Sequence, residues 1–152
     1  MPSTIERATA ADCAAVSACV HDAYVGYVAD IGLRPGPMDA DYADLIARGV
    51  VYVLREIADA GVCGVIVLHV EADGLFVENV AVDPGHQHQG VGRQLMAFAE
   101  GHARELGLPE LRLYTHERMT RNIALYKRLG FEEVERRTEH GFARVFMRKV
   151  LR

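Results

Sequence analysis

The chain has 152 residues, half of them hydrophobic and a quarter charged, with a formal net charge of -4. That suits one globular domain over residues 1–152 with ample material for a core, and an acidic chain with no basic run interleaved with aromatics is not a nucleic-acid binder. No apolar stretch reaches the roughly 20 residues of a bilayer span, and Met1 to Arg7 lacks the basic-then-apolar pattern of a secretory leader, so a cytoplasmic protein with no membrane partner is expected.

A short strand is expected from Thr4 to Arg7. Thr9 caps a helix from about Ala10 to Tyr27, with Asp12 placed close to a capping box and with Val16, Val20, Ala23, Tyr24 and Tyr27 on one face. Gly32, Pro35, Gly36 and Pro37 break that helix. A second, short helix fits Asp39 to Arg48 and stops at Gly49. The period then changes. Val50 to Ile57, Val62 to Glu71 and Leu75 to Asp83 are β-rich and are joined by Asp59-Ala60-Gly61 and Ala72-Asp73-Gly74, which read as hairpin turns, so three successive antiparallel strands are expected.

Pro84 and Gly85 end the third of these strands. Helix returns from about Gly90 to Leu106, with Val91, Leu95, Phe98, Ala99, His102 and Leu106 along one stripe. Leu111 to Thr115 is a strand, Thr120 to Leu129 a helix stopped by Gly130, and Phe131 to Thr138 with Phe142 to Lys149 a closing hairpin. The order β-α-α-β-β-β-α-β-α-β-β implies an α/β fold, a mixed sheet with a helix crossing between two central strands.

Cys13, Cys19 and Cys63 have no paired spacing, which argues against disulfides and a zinc site and reads as small hydrophobes. Residues 1–85 hold 4 Lys and Arg against 13 Asp and Glu, whereas residues 86–152 hold 13 against 8. This split suits an anionic ligand on the C-terminal half, although surface charge can also fall unevenly without a ligand.

The chemistry concentrates in Val80-Ala81-Val82-Asp83-Pro84-Gly85-His86-Gln87-His88-Gln89-Gly90-Val91-Gly92-Arg93, a strand, a turn and a glycine-containing helix start. Backbone N–H groups at such a point can hold phosphate. A P-loop is excluded because no Lys follows Gly92, and a dinucleotide fingerprint because the third glycine is missing. His86 and His88 invite a metal reading, but no carboxylate or cysteine sits at ligand spacing. They are expected to be solvated loop residues, with no metal, and His69 a packed or hydrogen-bonded strand residue rather than a catalytic one.

Gln87, Gly90 and Gly92 after Val82-Asp83-Pro84 resemble the acetyl-CoA loop of the GNAT superfamily of N-acetyltransferases. Asn122-Ile123-Ala124-Leu125-Tyr126-Lys127-Arg128-Leu129-Gly130-Phe131 is similar to a second element of that family, and the element order matches from end to end. The loop opens on Gln87 where Arg is commoner, which removes one charge contact.

The resemblance implies a GNAT-like, mostly antiparallel mixed sheet and transfer of an acetyl group from acetyl-CoA to a primary amine, carried by a small molecule or a peptide. The main chain of Gln87, His88, Gln89, Gly90, Val91, Gly92 and Arg93 would hold the pyrophosphate. Val80 and Val82 would pair with the pantetheine arm, and a main-chain N–H there would meet the oxyanion. Asn122 would approach the arm, and Tyr126 would protonate the leaving thiolate. By helical spacing alone Tyr126 reads as a core aromatic; the resemblance gives it the acid role. The same fold also serves non-catalytic acyl-CoA-binding or sensing modules, which have no need of that phenol, and homodimers are common on it.

Glu78, among Phe76, Val77 and Val80, is the candidate base, directly or through water, or else a carboxylate that binds a backbone group or the substrate ammonium without moving protons. Glu71 and His116 are weaker candidates. Tyr24, Tyr27, Arg34, Met38, Asp39 and Tyr42, on the first two helices and the loop between them, are candidates to line the acceptor site.

Overall fold

The structure, a computed structural model, describes residues 3–57 and 61–151. Seven strands form one sheet: β1 (Ser3–Arg7), β2 (Val51–Glu56), β3 (Val62–Glu71), β4 (Gly74–Val82), β5 (Glu110–His116), β6 (Glu132–Glu139) and β7 (Phe142–Val150), in the order β1-β2-β3-β4-β5-β7-β6. Only β4 and β5 pair in parallel. The turn expected at Asp59-Ala60-Gly61 falls largely outside the described residues.

Both faces of the central strands are buried, and strict alternation divides their residues. Val51, Val53, Val65 and Val67 face one core with Val16, Val20 and Leu45. Tyr52, Leu54, Ile66 and Leu68 face the other with Leu95, Ala99 and Ile123. Strands covered on both sides read as near-continuous apolar runs, which is why β2 and β3 stand out in the sequence. Helices α1 (Cys13–Tyr24), α2 (Val28–Ile31) and α3 (Tyr42–Ala47) supply the first layer; α4 (Val91–Glu105) and α5 (Thr120–Arg128) supply the second.

The expected helix over 10–27 begins and ends as 3-10 turns, over Ala10–Asp12 and Val25–Tyr27, and helical structure continues to Ile31. The Asp12 carboxylate accepts from the Thr9 backbone N–H at 2.8 Å and pairs with Arg55, tying the start of α1 to the sheet. The second helix starts three residues later than expected, because Asp41, accepting from the Asp44 N–H, is its cap. On α4 the buried row is Val91, Leu95, Ala99 and Ala103, with Met96 beside it. Leu106 is 48% exposed, rotated out because the helix docks along its i, i+4 ridge. That docking is close: a Cβ on Gly64 would come 2.8 Å from Val91 Cγ1 and 2.9 Å from Leu95 Cδ1.

Two irregularities shape the centre of the sheet. In the β3–β4 ladder Val67 pairs with Asn79 and Leu68 with Val77, so Glu78 is an extra residue, a β-bulge. The parallel β4–β5 ladder covers only Leu75–Val77 against Leu111–Leu113. Beyond the bulge the two strands part, and the sheet opens between them.

Candidate active site

Two cavities lie along that opening. A groove of about 390 Å³ is lined by Tyr24, Tyr27, Val80, Val82, Gln87, His88, Gly90 to Arg93, Met119, Arg121, Asn122, Leu125, Tyr126 and Arg128, among others. A second cavity, of about 320 Å³, is lined by Tyr24, Ile31, Pro35 to Pro37, Ala40, Phe76, Glu78, Tyr114 to His116, Met119, Phe142 and Arg144. Tyr24 and Met119 line both, so the two meet there.

The groove carries main-chain groups that the sheet does not use. The Asp83 N–H bonds Cys63 O at 2.8 Å, and the strand alternation then turns the N–H and C=O groups of Val80 and Val82 away from β3, toward the edge that β5 has left. The Val80 carbonyl accepts from the Tyr24 hydroxyl at 3.1 Å. At the groove's other end the chain curls into α4 through His88 (φ 65) and Gly90 (φ 80), both left-handed. Glycine takes that conformation without strain. Among the described residues no protein group accepts from the main-chain N–H groups of Gln87 to Arg93. These are the open donors of a helix start, at the positive end of its dipole, and they form a nest for an anion.

The loop is anchored from behind. His86 donates through Nδ1 to Asp83 Oδ2 and faces Glu56 Oε1 through Nε2, both at 2.9 Å. It is therefore not a solvated loop histidine. The Asp83 hydrogen bond, then the charge of Glu56 and Asp83 outweighing partial burial, raises its pKa. The spacing argument against partners fails because Glu56 and Cys63 arrive from other strands; Glu56, Cys63 and His86 offer ligand atoms within 4.8 Å of one another, an arrangement able to hold a metal ion. None of the three cysteines is in a disulfide, and burial pushes the Cys19 thiol up to about 12.

Tyr126 projects from α5 into the groove. Its ring is buried against Phe131, and its hydroxyl has no protein partner among the described residues. Burial first, then the nearby Tyr27 phenol, pushes its pKa up, so it stays protonated. Asn122 lies one turn earlier on the same helix. Arg121 and Arg128 also line the groove, although the sequence reading did not single them out. Their spacing from Leu125, at i–4 and i+3, was the available signal.

Glu78 lines the second cavity. Its carboxylate is 30% exposed and bonds His69 Nε2 at 2.9 Å through Oε1, so it is not enclosed by apolar neighbours alone. His69 itself stacks on Phe76. His116 lines the same cavity; its Nδ1 accepts from the Arg118 N–H, and burial lowers its pKa. Glu71 is elsewhere, bonded to Arg112 at the β3–β4 turn.

Of the expected acceptor residues, Tyr24 lines both cavities and Tyr27 only the groove. Arg34 and Asp39 form an exposed ion pair at 2.9 Å, and Met38 packs against the core. Tyr42 is buried: its hydroxyl accepts from Asn79 Nδ2 at 3.0 Å and donates to Pro37 O, while Asn79 Oδ1 accepts from Tyr24 at 2.8 Å. None of these four lines either cavity; Tyr42 reaches the wall of the second through Pro37. The actual walls, Phe76, Tyr114, Phe142 and Arg144, come from distant strands that no local pattern could connect to the site.

The comparisons agree with this geometry. The chain is 34% identical over 95 residues to streptothricin acetyltransferase of Streptomyces lavendulae, spanning 61% of this chain and 46% of that protein. It is 36% identical over 67 residues to the ribosomal protein bS18-alanine N-acetyltransferase of Escherichia coli strain K12, covering 44% of this chain and 45% of that one. The chain thus spans less than half the length of these curated relatives. The fold matches the crystal structure of PaiA N-acetyltransferase from Thermoplasma acidophilum in complex with coenzyme A at a TM-score of 0.84, over 99% of this chain and 100% of that one, with 18% identity. A profile of the Acetyltransferase (GNAT) family matches residues 32–131, well over half of the chain, and the protein belongs to that family.

Proposed function

We propose that the protein transfers the acetyl group of acetyl-CoA to a primary amine by direct attack, with Tyr126 as general acid and Glu78 as base. One observation carries this reading: the sheet opens at the Glu78 bulge, with the anion nest of Gln87 to Arg93 at one end of the opening, Glu78 at the other and the unpartnered Tyr126 hydroxyl along the groove between.

The nest and Arg121 or Arg128 suit the pyrophosphate and phosphate of CoA. The free edge of Val80 and Val82 suits the amide-bearing pantetheine arm, which would add to β4 as a short strand with Asn122 beside it. Glu78 takes a proton from the incoming ammonium and His69, bonded to it, can pass that proton toward solvent. As the amine nitrogen bonds to the thioester carbon, the Val80 N–H faces the developing oxyanion. When the C–S bond breaks, Tyr126 donates its proton to the sulfur and recovers one from the attacking nitrogen. The products are the amide and CoA thiol, with one proton released.

The test is thiol release from acetyl-CoA over a panel of amines, with acetyl-CoA binding measured in parallel. Tyr126→Phe should bind acetyl-CoA as wild type does and lose about 10²- to 10⁴-fold in kcat. Glu78→Gln should lose activity that is partly recovered at high pH, where the amine arrives already neutral. Binding of acetyl-CoA with no thiol release for any amine would instead favour an acyl-CoA sensor, and an unchanged kcat in Tyr126→Phe would remove the phenol from the mechanism.

A further inference from the structure

The cavity on the Glu78 side is specific enough to describe the acceptor. Its aromatic walls are Phe76, Tyr114 and Phe142, and Pro35, Pro37 and Ile31 close it from the α2–α3 segment. Phe76 and Tyr114 lie stacked at 5.7 Å, presenting one continuous π surface.

The charge on this surface is sparse. Only Glu78, His116 and Arg144 among the lining residues can carry charge. The Nδ1 of His116 accepts from the Arg118 N–H, and burial lowers its pKa, which disfavours a charge there. Arg144 bonds Glu139 Oε1 at 2.9 Å and lies over the Tyr114 ring at 4.3 Å. Glu78 spends Oε1 on His69, and its Oε2 has no partner among the described residues. One carboxylate oxygen is therefore open to one ammonium. The acids of the 30–44 segment do not line this cavity: Asp39 is paired with Arg34, Asp44 with Arg48, Asp41 caps α3, and Asp30 lies at a separate pocket beside Glu117, Arg118 and Arg136. A second cationic group on the acceptor would meet Arg144 or an apolar wall, and either is unfavourable.

We infer that the acceptor is a small primary monoamine on an apolar, ring-bearing body, with its ammonium on Glu78 and its ring against Phe76, Tyr114 and Phe142. The inference rests on the acetyl-transfer reading above and narrows it. Polyamines and aminoglycosides carry too many charges for this cavity. A peptide N-terminus brings polar backbone to walls with few hydrogen-bonding groups.

The assay is thiol release at saturating acetyl-CoA with phenethylamine, ethylamine, spermidine, kanamycin and a short peptide beginning with Ala, for wild type and Phe142→Ala. Phenethylamine should have the highest kcat/KM, at least tenfold above spermidine, kanamycin and the peptide. Phe142→Ala should lower kcat/KM for phenethylamine by roughly 10- to 200-fold, mainly through KM. Ethylamine has no ring for that wall to meet and should lose less, so the ratio of the two amines separates a lost wall from a misfolded variant. Preference for spermidine, kanamycin or the peptide, or an unchanged ratio in Phe142→Ala, overturns the inference and leaves acetyl transfer standing. Acetyl-CoA binding without thiol release for any amine overturns both.

Discussion

The chain of hydrogen bonds behind the Glu78 cavity permits a quantitative test. Tyr24 donates to Asn79 Oδ1 at 2.8 Å, Asn79 Nδ2 donates to Tyr42 at 3.0 Å, and Tyr42 donates to Pro37 O. Asn79 is 3% exposed, so water cannot replace a lost partner. Tyr42→Phe leaves both an Asn79 N–H and the Pro37 carbonyl without their partner. An orphaned buried group costs about 1–3 kcal/mol, and the Pro37 carbonyl is only part-buried, so the variant should lose about 1–4 kcal/mol in all. Asn79→Ala should be milder. Tyr24 still has Val80 O at 3.1 Å and Tyr42 still has Pro37 O, so no donor is orphaned. Two hydrogen bonds of about 0.5–1.5 kcal/mol each are lost, roughly 1–3 kcal/mol in all. In the double variant the orphaned amide is gone, so the effects should fall short of additive by about 0.5–3 kcal/mol. Urea unfolding of the four proteins, with unchanged m values, measures this. Because Pro37 lines the cavity, Tyr42→Phe should also raise the acceptor KM while acetyl-CoA affinity holds. Strict additivity, or a Tyr42→Phe stability within about 0.5 kcal/mol of wild type, would refute the network.

Three further outcomes are expected. Gly64→Ala drives a methyl group into Val91 and Leu95 and should destabilise by about 1–3 kcal/mol, read as a lower urea midpoint. His86 has its pKa raised in the folded state by the hydrogen bond to Asp83 first, so its contribution is full below its ordinary value of about 6.5 and is lost as pH rises through the raised one. The stability gap between wild type and His86→Ala should therefore narrow from mildly acidic to mildly alkaline pH, and a gap that widens would reverse the assignment. Arg34→Ala removes only an exposed pair and should change stability by no more than about 0.5 kcal/mol in thermal melts, with the acceptor KM unmoved.

Much of the fold and part of the site could be read along the chain because their causes are local. The period-2 valines of β2 and β3, the breaks around Gly32 to Pro37 and at Pro84, and the α4 pattern report backbone geometry within a few residues of themselves. The groove was legible for the same reason: Gln87 to Arg93 make their nest by opening one helix, and Asn122 and Tyr126 share one helix face, so spacing carries the arrangement. Tertiary structure decided what depends on strands meeting. Nothing near Glu78 announces a bulge, since a bulge is a mismatch of register between two strands and exists only once β3 and β4 are paired. Tyr24 and Tyr42 are both tyrosines on amphipathic segments, yet one lines the cavities and the other is spent on Asn79, from 37 residues away. The glycine loop was therefore written in the sequence. The cavity around Glu78, whose walls come largely from β4, β5 and β7, came into being only when the sheet opened between β4 and β5.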